Sequence, residues 1–391
     1  MQFATRTEAV NGGSLGVGPN GGHPLEVQLA GVGATLAGDY VPFMEYAALH
    51  LEPLRTGGAA PARVRATLHW HEGAPPDRAS YPELREMYRV DRDLYRNDRQ
   101  LAWFRIDDLP DLHLRFEWDG ETLDVRGDYF HRLSKRPVRD RLKRIIYHAE
   151  LNDLRRRRFT TLLYYLVYYP CFWWLERERD LHPIHAAGVD VGRGVIVLAG
   201  PSGVGKSTLV AGVASSPAAR LLSDTFLLHQ GQHVYAVPEP LLLDGWSRDW
   251  LGAATESLRA IRHRYSLGRN GFLWRSDRLS DGGDVGLLLF PERAPRHYLR
   301  ALTPEQACGR MRAGDLIVND LRRYWAFAAA TELLDPTPVV HAREVNLARL
   351  VAVTPTYEIG LTSAISCDQI LELISALLNR SAALQAAGGR P

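Results

Sequence analysis

The stretch Gly200-Pro201-Ser202-Gly203-Val204-Gly205-Lys206-Ser207-Thr208 constrains this chain more than any other. It matches the phosphate-cradling pattern G-x-x-x-x-G-K-[ST], and its flanks are those the pattern requires. Val195-Ile196-Val197-Leu198-Ala199 is a short unbroken apolar run, as a strand covered on both faces needs. Leu209-Val210-Ala211-Gly212-Val213-Ala214 follows as the first core-facing turns of a helix. Strand, glycine loop and helix N-terminus thus come in the order that builds an anion site.

The residue types follow from the chemistry. Glycines let backbone N–H groups converge on phosphate oxygens where a Cβ would block the approach. The helix adds unpaired N–H groups and the positive end of its dipole. Lys206 is placed to reach the β- and γ-phosphates as a point charge, and the Ser207 hydroxyl to ligate Mg²⁺. ATP and Mg²⁺ are the expected ligands, with Gly200 to Thr208 as the contacts. Only Lys135, Lys143 and Lys206 are lysines in a chain otherwise basic through arginine.

With 391 residues, 46% hydrophobic and 24% charged, the composition is that of a soluble globular protein long enough for two domains. A net charge of +2 gives no whole-chain field to recruit nucleic acid, which is not an expected partner. Cys171, Cys308 and Cys367 fit no metal or disulfide spacing, and the N-terminus carries no basic-then-apolar export signal. A reducing cytoplasm is the expectation.

Four segments are expected. Residues 1–22 are glycine-rich and read as a flexible tail. Residues 23–133 read as a β-rich accessory or substrate-recognition domain, antiparallel with one wet face. Val64 to Trp70, Leu112 to Trp118 and Thr122 to Arg126 alternate with period two, the last two joined by an Asp119-Gly120 turn. Residues 74–100 read as loop. Residues 134–180 read as a helical connector, opened by a Ser134 cap, with Val138, Leu142, Ile145, Ile146 and Ala149 at helical spacing. Positions 134–158 hold ten basic and three acidic residues, a local net of +7, on either a solvated helix or a docking face for an acidic or phosphorylated partner.

Phe159 to Leu175 looks like an interfacial anchor, yet it is short for a span and interrupted by Pro170; a buried helix between domains is expected and membrane contact is not. Residues 181–391 read as an alternating α/β core. Its strands are Val195–Ala199, Arg220 to Ser223 ending at Asp224, Val234–Val237, Val285–Phe290, Tyr298–Leu302 and Tyr357–Leu361. Thr303 with Gln306 predicts a capping box, and a helix with Ile370, Ile374 and Leu378 closes the fold.

His185-Ala186-Ala187-Gly188-Val189-Asp190, the loop and Leu222-Ser223-Asp224 together resemble the kinase domain of HPr kinase/phosphorylase and its relatives. The likeness covers about residues 181 to 245. It implies an HPr kinase-like α/β P-loop fold for the C-terminal half, behind the β-rich domain and the basic connector. It also implies three catalytic groups: Asp224 as proton acceptor or Mg²⁺ ligand, His185 as a titrating imidazole beside the γ-phosphate, and Lys206. Asp190 is expected to be structural. The pattern departs where the family has paired aspartates, since Thr225 follows Asp224, and Pro238-Glu239-Pro240-Leu241 stands near the family's glutamate signature. These departures resemble the divergent HPr-kinase-like proteins, some associated with modified-peptide biosynthesis. Arg262, Arg264, Arg269 and Arg275 are candidates to close over phosphates. The expected activity is transfer of the γ-phosphate of ATP to a serine or threonine hydroxyl of a peptide or protein. A small-molecule hydroxyl kinase and a non-catalytic nucleotide-binding regulatory module are the alternatives; a homo-oligomer is compatible with all three.

Overall fold

The structure is a computed structural model that describes residues 23–55, 61–106, 108–252, 255, 258–264, 270–335, 339–362 and 365–386. The tail expected at 1–22 lies outside them. Among the described residues the strands form an eight-stranded, a nine-stranded and a three-stranded sheet.

The eight-stranded sheet runs, edge to edge, through Leu25–Leu29, Val32–Gly38, Ala62–Glu72, Leu123–His131, Leu112–Trp118, Gln100–Trp103, Leu94–Arg96 and Tyr88–Asp91. Its Asp119-Gly120 hairpin forms as read. Asp119 Oδ1 accepts from the Glu121 and Thr122 amides at 2.9 and 2.7 Å, and Gly120 sits at φ 97°, where a side chain would be strained. The centre departs from the antiparallel expectation: Val32–Gly38, Ala62–Glu72 and Leu123–His131 pair parallel. The helix Val41–His50 accounts for the first of these two pairs, because a crossover returns the chain in its original direction; the second closes only after the chain has run through the four antiparallel strands from Tyr88 to Trp118. The stretch read as loop contributes the three short strands between Tyr88 and Trp103.

One face of this sheet lies on a rod from Phe159 to Arg179, whose residues Leu162 to Glu176 are all buried. Pro170 has no amide hydrogen, and its ring would clash with the carbonyl one turn earlier. The rod absorbs this as a π turn over Tyr164–Tyr168. At Gly127 an added Cβ would sit 3.1 Å from Leu166 Cδ2, so the glycine lets rod and sheet touch. Each fully buried side chain such as Leu162, Leu166 and Phe172 contributes about 1.5–3 kcal/mol of transfer free energy.

The segment 159–179 is the buried helix expected between the two halves: its apolar cluster joins Val64, Phe116 and Val125 of the sheet to Phe226, Leu228, Tyr324 and Phe327 of the C-terminal half. The expected helix at 134 starts instead at Pro137, without a side-chain cap, and lies on the surface. The C-terminal half is also not the alternating α/β P-loop core that the resemblance implies. The whole is a mixed α/β fold in which Val195–Ala199 pairs antiparallel with Ala186–Asp190 and parallel with Gly282–Arg293. Arg220–Ser223 pairs antiparallel with Ala186–Asp190. Tight turns decide this: Gly192 at φ 76° and Gly231 at φ 55° close hairpins too short for a crossover. The Thr303/Gln306 capping box opens the helix Pro304–Ile317, as read. Among the described residues no helix is long and apolar enough to cross a membrane.

Candidate functional site

The strand Val195–Ala199 ends in the glycine loop, and Lys206–Ala214 is the helix that follows. Gly200, Gly203 and Gly205 adopt φ of 139°, 86° and 99°, which only glycine reaches without strain. Lys206 Nζ donates to the carbonyl oxygens of Gly200 and Pro201 at 2.8 and 3.0 Å, folding the ammonium across the loop's mouth. Burial lowers the Lys206 pKa to about 8, against the pull of the nearby Asp224 carboxyl, which raises it.

A cavity of about 230 Å³ opens beside the loop. Ser207, Asp224 and His185 line it, so the structure brings together the residues singled out for chemistry. His185 differs from expectation in its charge. Burial, then the Lys206 ammonium, lower its pKa to about 3, so the imidazole is neutral at pH 7 and does not titrate there. Neither ring nitrogen has a hydrogen-bond partner. Its backbone amide is held by the Asp315 carboxyl, which burial pushes up to about 7. Asp190 is structural: it accepts from the Gly192 amide at 2.8 Å and sits 3.3 Å from the Ser280 hydroxyl.

Glu239 joins the site from beyond the expected set. It is 4% exposed, and burial raises its pKa to about 8; hydrogen bonds from Thr225 and Tyr164 pull the other way, and the charges of Asp320 and Asp224 add to the rise. The second carboxyl beside Asp224 therefore comes from Glu239, held by the Thr225 that breaks the aspartate pair. A glutamate between two prolines in an apolar run was the signal for it. Asp320, at the start of the helix Asn319–Thr331, also lines the cavity, and nothing local in sequence marks it.

A second cavity of about 550 Å³ continues from the first, sharing Gly205, Thr208, Asp244, Trp246 and Arg293. Its walls are mostly apolar, with Trp246 and Trp250 stacked at 6.4 Å between ring centroids. Their helix, Gly245–Leu251, is capped by Asp244, which accepts from the Ser247 amide at 2.8 Å. Ser247 in turn meets Thr208 hydroxyl to hydroxyl at 2.9 Å, fastening the tryptophans to the loop helix. Arg293 ends the strand Gly282–Arg293 and gives both cavities a cation. Of the arginines proposed from sequence, Arg275 instead bonds Asp277 at 3.1 Å. Arg269 and the side chains of Arg262 and Arg264 lie outside the described residues.

The cleft is thus polar at the loop end, where Lys206 and Arg293 share the lining with Asp224, Asp244 and Asp320, and aromatic at the other. No protein-family model matches this chain, and no curated protein matches it.

Proposed function

We propose that the protein is a phosphotransferase that moves the γ-phosphate of ATP to a hydroxyl, that of a serine or threonine in a peptide or protein. The observation that carries this is the gathering of Lys206, Ser207, Asp224 and His185 on one cavity that runs on into an aromatic one. The resemblance of the His185–Asp190 strand, the loop and Asp224 to HPr kinases supports the same reading.

On this reading the loop amides and Lys206 hold the β- and γ-phosphates, Arg293, which lines both cavities, adds charge, and the base lies against Trp246 and Trp250. Asp224 accepts the proton of the attacking hydroxyl as the new O–P bond forms and the bond to the β-phosphate oxygen breaks, releasing ADP. Glu239, protonated at neutral pH, does not compete with Asp224 for that proton. Neutral His185 offers a donor or an acceptor without adding charge beside Lys206.

The Ser207 hydroxyl is a hard oxygen donor in the cavity lining, which fits Mg²⁺, an ion that completes its shell from phosphates and water; a role for Asp224 as its carboxylate ligand is the alternative to its role as base. Held there, Mg²⁺ would supply positive charge against the phosphates. Cys171 and Cys308, both free and buried, suit a reducing cytoplasm.

The test is transfer of label from γ-labelled ATP, with Mg²⁺, to a serine- and threonine-containing peptide library. Mass analysis of the modified residue should find phosphoserine or phosphothreonine. ATP binding without ADP formation in the presence of any acceptor would leave a nucleotide-binding regulator instead.

A further inference from the structure

The helix Pro137–Ile146 is the one helix of its length that buries no residue among the described elements of the N-terminal half. Val138, Leu142, Ile145 and Ile146 are 82%, 55%, 69% and 63% exposed. Their spacing, at about 100° per residue, puts all four on one side of the helix. Asp140 and Arg144 fall on the opposite side, and it is they that fasten the helix to the body. Asp140 accepts from the Ser134 amide at 3.1 Å and from Arg144 Nε at 2.7 Å. Arg144 also bonds Glu72 and the His131 carbonyl. The apolar stripe is therefore held pointing outward.

Cations border the stripe. Arg139 and Lys143 lie on one flank and Arg141 on the other, all exposed, with Lys135 and Arg136 at the helix start. An exposed apolar face rimmed by positive charge suits a surface that is negative outside and apolar beneath. A second copy does not fit, because two segments of net +7 repel. A peptide needs a groove or a free strand edge, and this face is a ridge.

We propose that Pro137–Ile146 docks the protein on an anionic lipid bilayer. The helix lies in the interface plane, with Val138, Leu142, Ile145 and Ile146 at the acyl boundary and the arginines and lysines among the headgroups. This places membrane contact on the segment before Phe159–Leu175, the stretch whose sequence looks like an anchor and whose side chains are buried. The proposal does not depend on the phosphotransfer reading.

Sedimentation of the full chain with vesicles tests it, comparing phosphatidylcholine alone with phosphatidylcholine containing about 30% phosphatidylserine, at about 0.1 M salt. The chain should pellet with the anionic vesicles and stay in solution with the neutral ones. Each basic residue at such a surface is worth about fivefold in partitioning, so Arg139→Glu with Arg141→Glu should weaken binding about 25-fold or more. Leu142→Glu with Ile145→Glu should do the same. All four side chains are exposed, and unchanged thermal melting of the variants would show the fold intact. Failure of the wild-type chain to pellet with anionic vesicles overturns the proposal, as does pelleting that neither double variant weakens. Binding of an acidic amphipathic peptide to a chain that ignores the vesicles, lost in the same variants, assigns the ridge to a protein partner instead.

Discussion

Two clusters of buried ionisable side chains lie in the same half of this protein and are built on opposite principles. The charge of Glu176 is fully matched. Its carboxylate takes both guanidinium arms of Arg343, the Tyr324 hydroxyl and His182 Nδ1, the last at 3.0 Å. His182 Nε2 bonds Asp180 at 2.8 Å, and Asp180 bonds Asn346 at 2.9 Å. Burial alone would raise the Glu176 pKa, yet the bonds from Arg343 and His182 outweigh it and hold the group below the usual carboxylate range. Beside the loop the reverse holds: His185 is neutral, Glu239 stays protonated to about pH 8, and Lys206 is pushed down to about 8. Saturated bonding marks a clamp between helices. Unsaturated bonding marks a place where part of the electrostatics is to be completed by something that binds.

The contrast is sharpest in what breaking each cluster should do. Asp224→Asn should lower phosphoryl transfer by about 10²- to 10⁴-fold with the melting temperature unchanged; single-turnover rates beside calorimetry measure both. Equal transfer by the variant under limiting Mg²⁺ would exclude Asp224 as base and as metal ligand. Glu176→Ala should do the opposite, costing about 3–5 kcal/mol of stability because Arg343 and His182 are left without their shared partner. Denaturant titration reads this, and activity per folded molecule should survive in the cold.

Lys206→Ala should reduce turnover about 10²-fold or more while leaving stability the same or higher, since no buried ammonium remains to be desolvated. A loss of stability there would make Lys206 part of a clamp and erase the contrast. Glu239→Gln tests the cleft through a slope with pH rather than a single step. Wild-type Glu239 holds its proton up to about pH 8, whereas the unfolded group loses it near 4.5. Unfolding therefore releases a proton between those values, and wild-type stability falls as pH rises through that window, on the order of 1 kcal/mol per pH unit. The variant lacks this slope, so its stability relative to wild type should climb from pH 5 to 8. Parallel curves would show that Glu239 is ionised in the folded protein.

Local patterns in the sequence were sufficient where a structure is local. Gly200 to Thr208 with Val195–Ala199 before it, the Asp119-Gly120 hairpin and the Thr303/Gln306 box each carry their cause within a few residues. Strand partners do not. The alternation in Val64 to Trp70 shows a strand with two unlike faces, but parallel pairing with Val32–Gly38 and Leu123–His131 depends on a crossover elsewhere. Period two is the same in either direction. Asp320 reaches the cleft from almost a hundred residues beyond Asp224, and the Glu176 clamp unites four separate elements. Exposure is legible only in part: Phe159 to Leu175, expected as a buried helix, is buried, whereas the helical spacing of Val138, Leu142, Ile145 and Ile146 does not reveal that no sheet covers them.

The rod from Phe159 to Arg179 also imposes an order in time. A ribosome delivers the eight-stranded sheet and then the rod before it delivers any residue of the cleft except Tyr164. At that stage one flank of Tyr169 and Phe172 is still bare, because Tyr324 and Phe327 arrive about 150 residues later. Tyr164, on the π turn, later touches Glu239 at 3.4 Å. The nascent cleft is thus cast against a surface that has already set, and the aromatic flank waiting for its cover is where a chaperone would find this chain during synthesis.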